Sequence, residues 1–271
     1  MYHYSAAEKF DDGICEEGER MYTFTGQVVW VTGSSTGIGR AAALAFAEHG
    51  ADVVVHGNEN REAAQALAGE IERMGRRSLA VAGDVADGTQ VAEMVAQVRD
   101  HFGRLDVLVN NAGALIRRAR LEELEEDLWD RVMDVNLKSV YLVTRAALPM
   151  LKTSRGRVIN VTSVAARNGG GPGSIAYATA KAGVSNLTRA LAKDLAEYGI
   201  LVNAIAPGVI DTPFHERFTP RDAYEAMVRQ IPLGRAGTPE ESVGAILFLA
   251  SPHARYITGE IIEVNGGQLM S

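Results

Sequence analysis

Tyr177 and Lys181 stand four residues apart in a stretch, Ile175 to Tyr198, that reads as a helix. Residues at i and i+4 share one helix face, so a phenol and an ammonium become neighbours. A phenol titrates near about 10 in water, and a nearby positive charge stabilises its phenolate. Tyr177 is therefore a candidate general acid and base for a hydroxyl or carbonyl oxygen. Taken alone, Y-x-x-x-K reads far more readily as a packed ring beside a solvated amine. Two neighbours favour chemistry: Ser163, just past a predicted strand over 157–161, offers a hydroxyl to the same oxygen, and the loop Gly169-Gly170-Gly171-Pro172-Gly173 lets the chain turn back.

A second constellation lies at Val28 to Gly39, V-V-W-V-T-G-S-S-T-G-I-G. A strand feeding a glycine turn and a helix start aims unpaired backbone N–H groups and the positive helix end at one point, where a dinucleotide pyrophosphate fits. Gly33, Gly37 and Gly39, spaced G-x-x-x-G-x-G, allow close approach of backbone and ligand.

The surrounding elements alternate. Strands are predicted at 28–31, 52–56, 78–82, 105–109, 157–161, 201–205 and 260–264, and helices at 40–49, 61–74, 91–102, 121–151, 175–198 and 240–250. Short apolar strands separated by helices predict an α/β fold of the Rossmann type, a doubly wound parallel sheet covered on both faces. Asp211 to Pro232 breaks the alternation at the carboxyl end of the sheet, where a small substrate-covering insertion belongs.

With 271 residues and no Pro/Ser-rich linker, the chain reads as a single domain over 25–271 preceded by an acidic extension over 1–24, a candidate disordered arm. The net charge of −7, with Lys and Arg scattered, argues against nucleic acid as a partner. No basic-then-apolar leader and no long apolar run point to export or a membrane. The single cysteine, Cys15, suits a reducing compartment, so the cytoplasm is expected. Histidines lack ligand spacing, and no catalytic metal is expected.

These motifs together resemble the short-chain dehydrogenase/reductase family, over roughly Thr25 to the C-terminus. The resemblance rests on T-G-S-S-T-G-I-G at 32–39, Asp84-Val85, N-N-A-G at 110–113, Asn136 in D-V-N-L, Ser163, Y-A-T-A-K at 177–181 and P-G at 207–208. It implies reversible hydride transfer between a nicotinamide cofactor and a small-molecule carbonyl or secondary alcohol. Tyr177 would be the acid/base, Lys181 would bind the nicotinamide ribose and depress the tyrosine pKa, Ser163 would bond the reacting oxygen, and Asn136 would hold a relay water. Cofactor contacts would come from Gly33, Ser35, Thr36, Gly37, Ile38, Gly39, Asn58, Asp84, Val85, Asn111, Ala112, Gly113, Tyr177 and Lys181. The lip over the nicotinamide would be Pro207, Gly208, Val209, Ile210 and Thr212.

Ser163 and Tyr177 are 14 apart, one more than the family resemblance implies, which bears on the substrate pocket. The position for a ribose-binding acid at the end of the second strand is Gly57, beside Asn58, with Arg61 near. That favours NADP(H), while Glu59 keeps NAD(H) open. Arg117, Arg118, His215 and Arg217 are candidates for a polar or anionic substrate, such as a sugar acid, a polyol or a carrier-linked oxoacyl group, or else solvated charges. A homotetramer built partly from the helices at 121–151 and 175–198 is also implied. The alternatives are an NAD-preferring sugar or polyol dehydrogenase and a non-catalytic dinucleotide sensor.

Overall fold

The computed structural model describes residues 21–270, so the bulk of the acidic extension and Cys15 lie outside the described residues. The chain runs β1 (Val28–Val31), α1 (Gly37–Glu48), β2 (Asp52–Gly57), α2 (Arg61–Arg73), β3 (Ser78–Ala82), α3 (Gly88–Phe102) and β4 (Val107–Asn110). It continues through α4 (Glu126–Met133), α5 (Ser139–Ser154), β5 (Arg157–Val161), the short α6 (Ala165–Asn168), α7 (Ile175–Leu195) and β6 (Leu201–Pro207). Two short helices, α8 (Pro213–Phe218) and α9 (Arg221–Val228), precede α10 (Pro239–Ala250) and β7 (Ile261–Val264).

All seven strands pair in parallel in the order β3-β2-β1-β4-β5-β6-β7. Alternation along β1 sends Val29 and Val31 into a core with Phe24, Phe46, Leu67 and Ile246, and Val28 and Trp30 into a second core with Met94, Leu105 and Leu151. Burial on both faces explains why the strands read as continuous apolar runs. The chain winds outward from β1 to β3, then returns to place β4 on the other side of β1. That reversal opens a crevice beyond the carboxyl ends of β1 and β4.

Helix ends follow local chemistry. The Asp87 carboxylate accepts from Thr89 N at 2.8 Å and Gln90 N at 3.2 Å to start α3, and Gly103 at φ +72° ends it. Pro239 and the Thr238–Glu241 capping box start α10.

The expected single helix over 121–151 is corrected. A 3₁₀ turn at Leu121–Glu123 and α4 come first, then a π-helical segment over Asp134–Lys138 leads into α5. The insertion at 211–232 carries α8 and α9, linked to the sheet by a bridge between Ile210 and Gly237.

Candidate active site

Thr32 ends β1 and braces the crevice floor. Its hydroxyl accepts from Asn111 N at 3.0 Å and Ala112 N at 3.1 Å, while Asn111 Nδ2 donates to Thr32 O and Gly33 O at 2.9 and 3.0 Å. The amide of Asn111 is thus occupied in stapling the two switch-point strands. A Cβ on Gly33 would lie 2.8 Å from Ala112 Cα, and one on Gly39 would collide with the Asn111 amide and lie 2.5 Å from Gly33 O. Gly33 and Gly39 are therefore needed for close packing, and Gly37 for its φ of +56° at the start of α1.

A cleft of about 830 Å³ runs from this turn across the sheet ends. Every residue predicted to contact the cofactor lines it except Gly39, which is buried behind the turn. The glycine cradle, the helix start at Gly37 and the cleft volume fit a dinucleotide with a small substrate beyond it.

At the adenosine end, the spacing of sequence motifs gave no sign of His56. It is buried; its Nδ1 accepts from Gly33 N at 2.8 Å and its Nε2–H donates to Gly83 O at 2.9 Å. Burial holds its pKa below the usual value, so the ring is neutral, as the acceptor at Nδ1 requires. The Asp84 carboxylate accepts from Ala86 N at 2.9 Å and pairs with Arg131 at 2.8 Å. Arg131 also lines the cleft and was not anticipated. Asn58 is exposed at the rim, and Arg61 folds back to donate to Asn58 O at 3.4 Å.

At the far end Ser163, Tyr177 and Lys181 converge. Ser163 lies near enough to the Tyr177 phenol to favour its ionised form, and its hydroxyl accepts from Ala165 N at 3.1 Å. Lys181 is buried, with Nζ donating to Val161 O at 2.8 Å and lying 5.8 Å from the Tyr177 ring centre. Burial sets the direction of the Tyr177 shift. Burial pushes Tyr177 up to about 12 against the lowering effect of Ser163, and burial lowers Lys181 to about 8. Part of the Tyr177 surface still opens to the cleft, so water tempers the rise until a substrate covers it.

Asn136 lies behind the cleft in the π segment, fully buried. Its Nδ2 donates to Ala114 O at 2.7 Å and Val132 O at 2.9 Å, and its Oδ1 accepts from Ala114 N at 3.1 Å. The side chain thus ties the interrupted helix to the loop that follows N-N-A-G. A Cβ on Gly113 would lie 2.7 Å from Asn136 Oδ1 and 3.2 Å from Lys181 Nζ, so these three residues meet at one point. Below them Asn110 Nδ2 donates to Thr144 Oγ1 and Asn160 Oδ1, and Asn160 Nδ2 to Thr188 Oγ1, locking α5 and α7 to the sheet.

Phe214 of α8 covers the reacting end, its ring centre 5.7 Å from that of Tyr177. Of the basic candidates, Arg117 is exposed, Arg217 approaches Glu59 at 4.0 Å, and Arg118 bonds carbonyls on both sides of the cleft. His215 is held down to about 4, by burial first and the Arg118 charge second. Met227, Gln230 and Gln268 also line the cleft and lie outside any motif.

Among the described residues, no helix is long and apolar enough to cross a membrane. Residues 33–268 match a family model described as enoyl-(acyl carrier protein) reductase. A 3-oxoacyl-[acyl-carrier-protein] reductase FabG of Thermotoga maritima is 44% identical over 243 residues, covering 89% of this chain and 97% of the relative. A 3-oxoacyl-[acyl-carrier-protein] reductase of Synechocystis is 44% identical over 256 residues, covering 92% and 100%. Among solved structures, a dehydrogenase/reductase from Sinorhizobium meliloti superposes with a TM-score of 0.86 at 34% identity, covering 92% of this chain and 97% of that one. An NADH-dependent reductase associated with alginate metabolism, A1-R′, gives 0.84 at 34% identity, covering 91% and 98%. The chain belongs to the short-chain dehydrogenase/reductase family and is an NAD(P)-dependent oxidoreductase acting on carbonyl and secondary alcohol groups.

Proposed function

We propose that this enzyme is an NADPH-preferring reductase of 3-oxoacyl thioesters, with Tyr177 as proton donor, Ser163 orienting the carbonyl oxygen, and Lys181 and Asn136 completing the site. The observation that supports this reading is the convergence of Ser163, Tyr177 and Lys181 at the end of the cleft that Phe214 covers, where burial pushes the Tyr177 phenol up to about 12. Such a phenol is protonated at neutral pH, which suits reduction. A reduced nicotinamide held along the cleft from Gly33 to Lys181 would supply the hydride for the carbonyl carbon. As negative charge gathers on the carbonyl oxygen, the Tyr177 O–H donates its proton there and the Ser163 hydroxyl donates a hydrogen bond. Lys181, buried beside Asn136 and Gly113, holds positive charge near the phenolate left behind. Phe214 excludes water from the reacting atoms.

Preference for NADPH is supported at the end of β2. A side chain on Gly57 would meet Asn60 O at 2.6 Å, so a ribose-binding acid has no room there, and Asn58 offers an amide at the rim. A second reading, an NADH-using enzyme, draws on the exposed Glu59 carboxylate beside Asn58 and on the NADH-dependent relative. We further assign the enzyme to the cytoplasm as a homotetramer through α5 and α7, an assembly that size-exclusion with light scattering checks.

The deciding experiment follows NADPH and NADH oxidation with a 3-oxoacyl thioester, beside Tyr177→Phe. Turnover with NADPH that disappears in the variant supports the proposal. A strong preference for NADH, or undiminished turnover in Tyr177→Phe, overturns it.

A further inference from the structure

Arg118 reaches both walls of the substrate end with a single guanidinium. On the insertion side Nε donates to Phe218 O at 2.7 Å and Nη2 to Thr219 Oγ1 at 3.4 Å, at the end of α8. On the opposite wall Nη1 donates to Pro172 O at 3.0 Å in the glycine-rich loop, and the neighbouring Ala119 N donates to Gly173 O at 3.0 Å. Gly173 makes that approach possible, since a Cβ there would stand 3.1 Å from both Ala119 N and Arg118 Cβ.

The backbone leading to Arg118 is strained. Ile116, a β-branched residue, has φ +65°, and Arg117 N donates to Leu115 O at 2.8 Å, closing a tight three-residue turn around it. A conformation of that kind persists where surrounding contacts over-determine it, and it clusters at ligand clamps. Here the turn directs Arg118 between the walls, with Nε, Nη1 and Nη2 each donating to a protein oxygen.

We propose that Arg118 is a positioning residue that clasps α8 to the glycine-rich loop and so sets the shape of the substrate end, rather than a receptor for an anionic substrate. A planar fork with donors in fixed directions suits the three-way bridge, which a lysine ammonium on a flexible stem does not reproduce. The inference rests on Ser163 and Tyr177 marking the reacting end, but its first readout needs no turnover.

The test compares the full-length protein with Arg118→Lys and Arg118→Met by hydrogen exchange and steady-state kinetics. Arg118→Lys keeps charge and stem if Arg118→Met folds poorly. In either variant the amides of Thr219 and Tyr224 on one wall, and of Ser174 and Ala119 on the other, are expected to exchange about tenfold faster together, a local opening of the clasp. KM is expected to rise by similar factors for a neutral 3-oxo ester and the matching 3-oxo acid, with kcat changing less. Unaltered exchange at both walls, or a KM increase confined to the acid, overturns the proposal. Loss of turnover in wild-type protein would count against the assigned reaction and leave the exchange result standing.

Discussion

Asn136 and Ala114 exchange hydrogen bonds across the chain, Nδ2 donating to the carbonyl at 2.7 Å and the backbone N–H donating to Oδ1 at 3.1 Å. The pair closes the π-helical segment against the loop after β4 that carries Gly113, and Gly183 lets Leu137 pack closely against α7 beside it. An interruption in the helix therefore fixes the back wall of the site, a common use of π segments.

Gly113→Ala is expected to disturb that wall, because its methyl would lie 2.7 Å from Asn136 Oδ1 and 3.2 Å from Lys181 Nζ. Displacing Lys181 misplaces charge next to Tyr177, so kcat should fall by about 10²-fold, while melting temperature falls modestly. Steady-state kinetics beside a thermal melt separate the two. A kcat within threefold of wild type would show that Lys181 tolerates the methyl.

The two glycines of the phosphate turn should respond differently to alanine. Both have positive φ, +62° at Gly33 and +56° at Gly37. A Cβ at Gly33 meets the Ala112 backbone at 2.8 Å, whereas at Gly37 the nearest atom is a Thr212 methyl at 3.4 Å. Gly37→Ala should cost about 1 kcal/mol from conformation alone. Gly33→Ala should cost more than that, because steric overlap with backbone adds to it. Denaturant melts of both variants check the order, and equal losses would refute it.

Much of the fold was legible because burial writes itself into sequence. The runs at 78–82 and 157–161 are the strands as read, S-L-A-V-A and R-V-I-N-V, because the apolar residues that the sheet buries mark them out. Ser163, Tyr177 and Lys181 were legible from type and spacing, and the structure brings them together. The break at 134–138 was not, since D-V-N-L-K has no Gly or Pro, and the π turn is held by Asn136 reaching residues 22 positions away. The electrostatic balance at Tyr177 was also hidden. Spacing reveals that a lysine is near but gives no measure of desolvation, the largest cause of the Tyr177 shift. His56 was missed for a similar reason: its role comes from the folding of Gly33 and Gly83 onto opposite edges of one ring.

His56 predicts acid sensitivity of the dinucleotide end. Its folded pKa lies below the unfolded value through burial, so the unfolded chain takes up a proton first as pH falls. Its stabilising contribution is complete above about pH 6.5 and declines below it, as the pH approaches the folded value. Protonation would also place a hydrogen on Nδ1 facing Gly33 N–H. His56→Gln, which does not titrate, should flatten part of the decline in melting temperature between about pH 6.5 and 5. His215, lowered to about 4, accounts for a remainder of the same sign. An identical pH profile in His56→Gln would assign the sensitivity elsewhere.

Lys181 predicts a change on the alkaline side. Burial lowers it to about 8, so in the free enzyme its charge is lost as pH rises through that value while Tyr177 stays protonated. For folding the sign is that of a penalty relieved: burying the ammonium costs stability below about 8, and the cost fades as pH rises toward the unfolded value near 10.5. Cofactor affinity should move the other way, weakening above about pH 8 as positive charge leaves the cleft. Dissociation constants for NADPH across pH 7 to 9.5, by fluorescence titration, should show this inflection in wild type and none in Lys181→Met. An inflection that survives the substitution would belong to another group.

Glu59 and Arg217, which approach at 4.0 Å with both side chains largely exposed, are expected to influence cofactor choice. At that distance in solvent the pair contributes little stability, so each side chain is free to act on a ligand at the rim. The Glu59 carboxylate repels a 2′-phosphate, and the Arg217 guanidinium attracts one across the cleft from α8. Glu59→Gln should therefore raise the NADPH/NADH ratio of kcat/KM by several-fold, roughly the effect of one screened charge, and Arg217→Ala should lower it by a similar factor. Both shifts should shrink when ionic strength is raised to about 0.5 M, because exposed charges are screened there. If neither substitution moves the ratio at low salt, the 2′-position of the ribose is read by Asn58 and Thr36 alone.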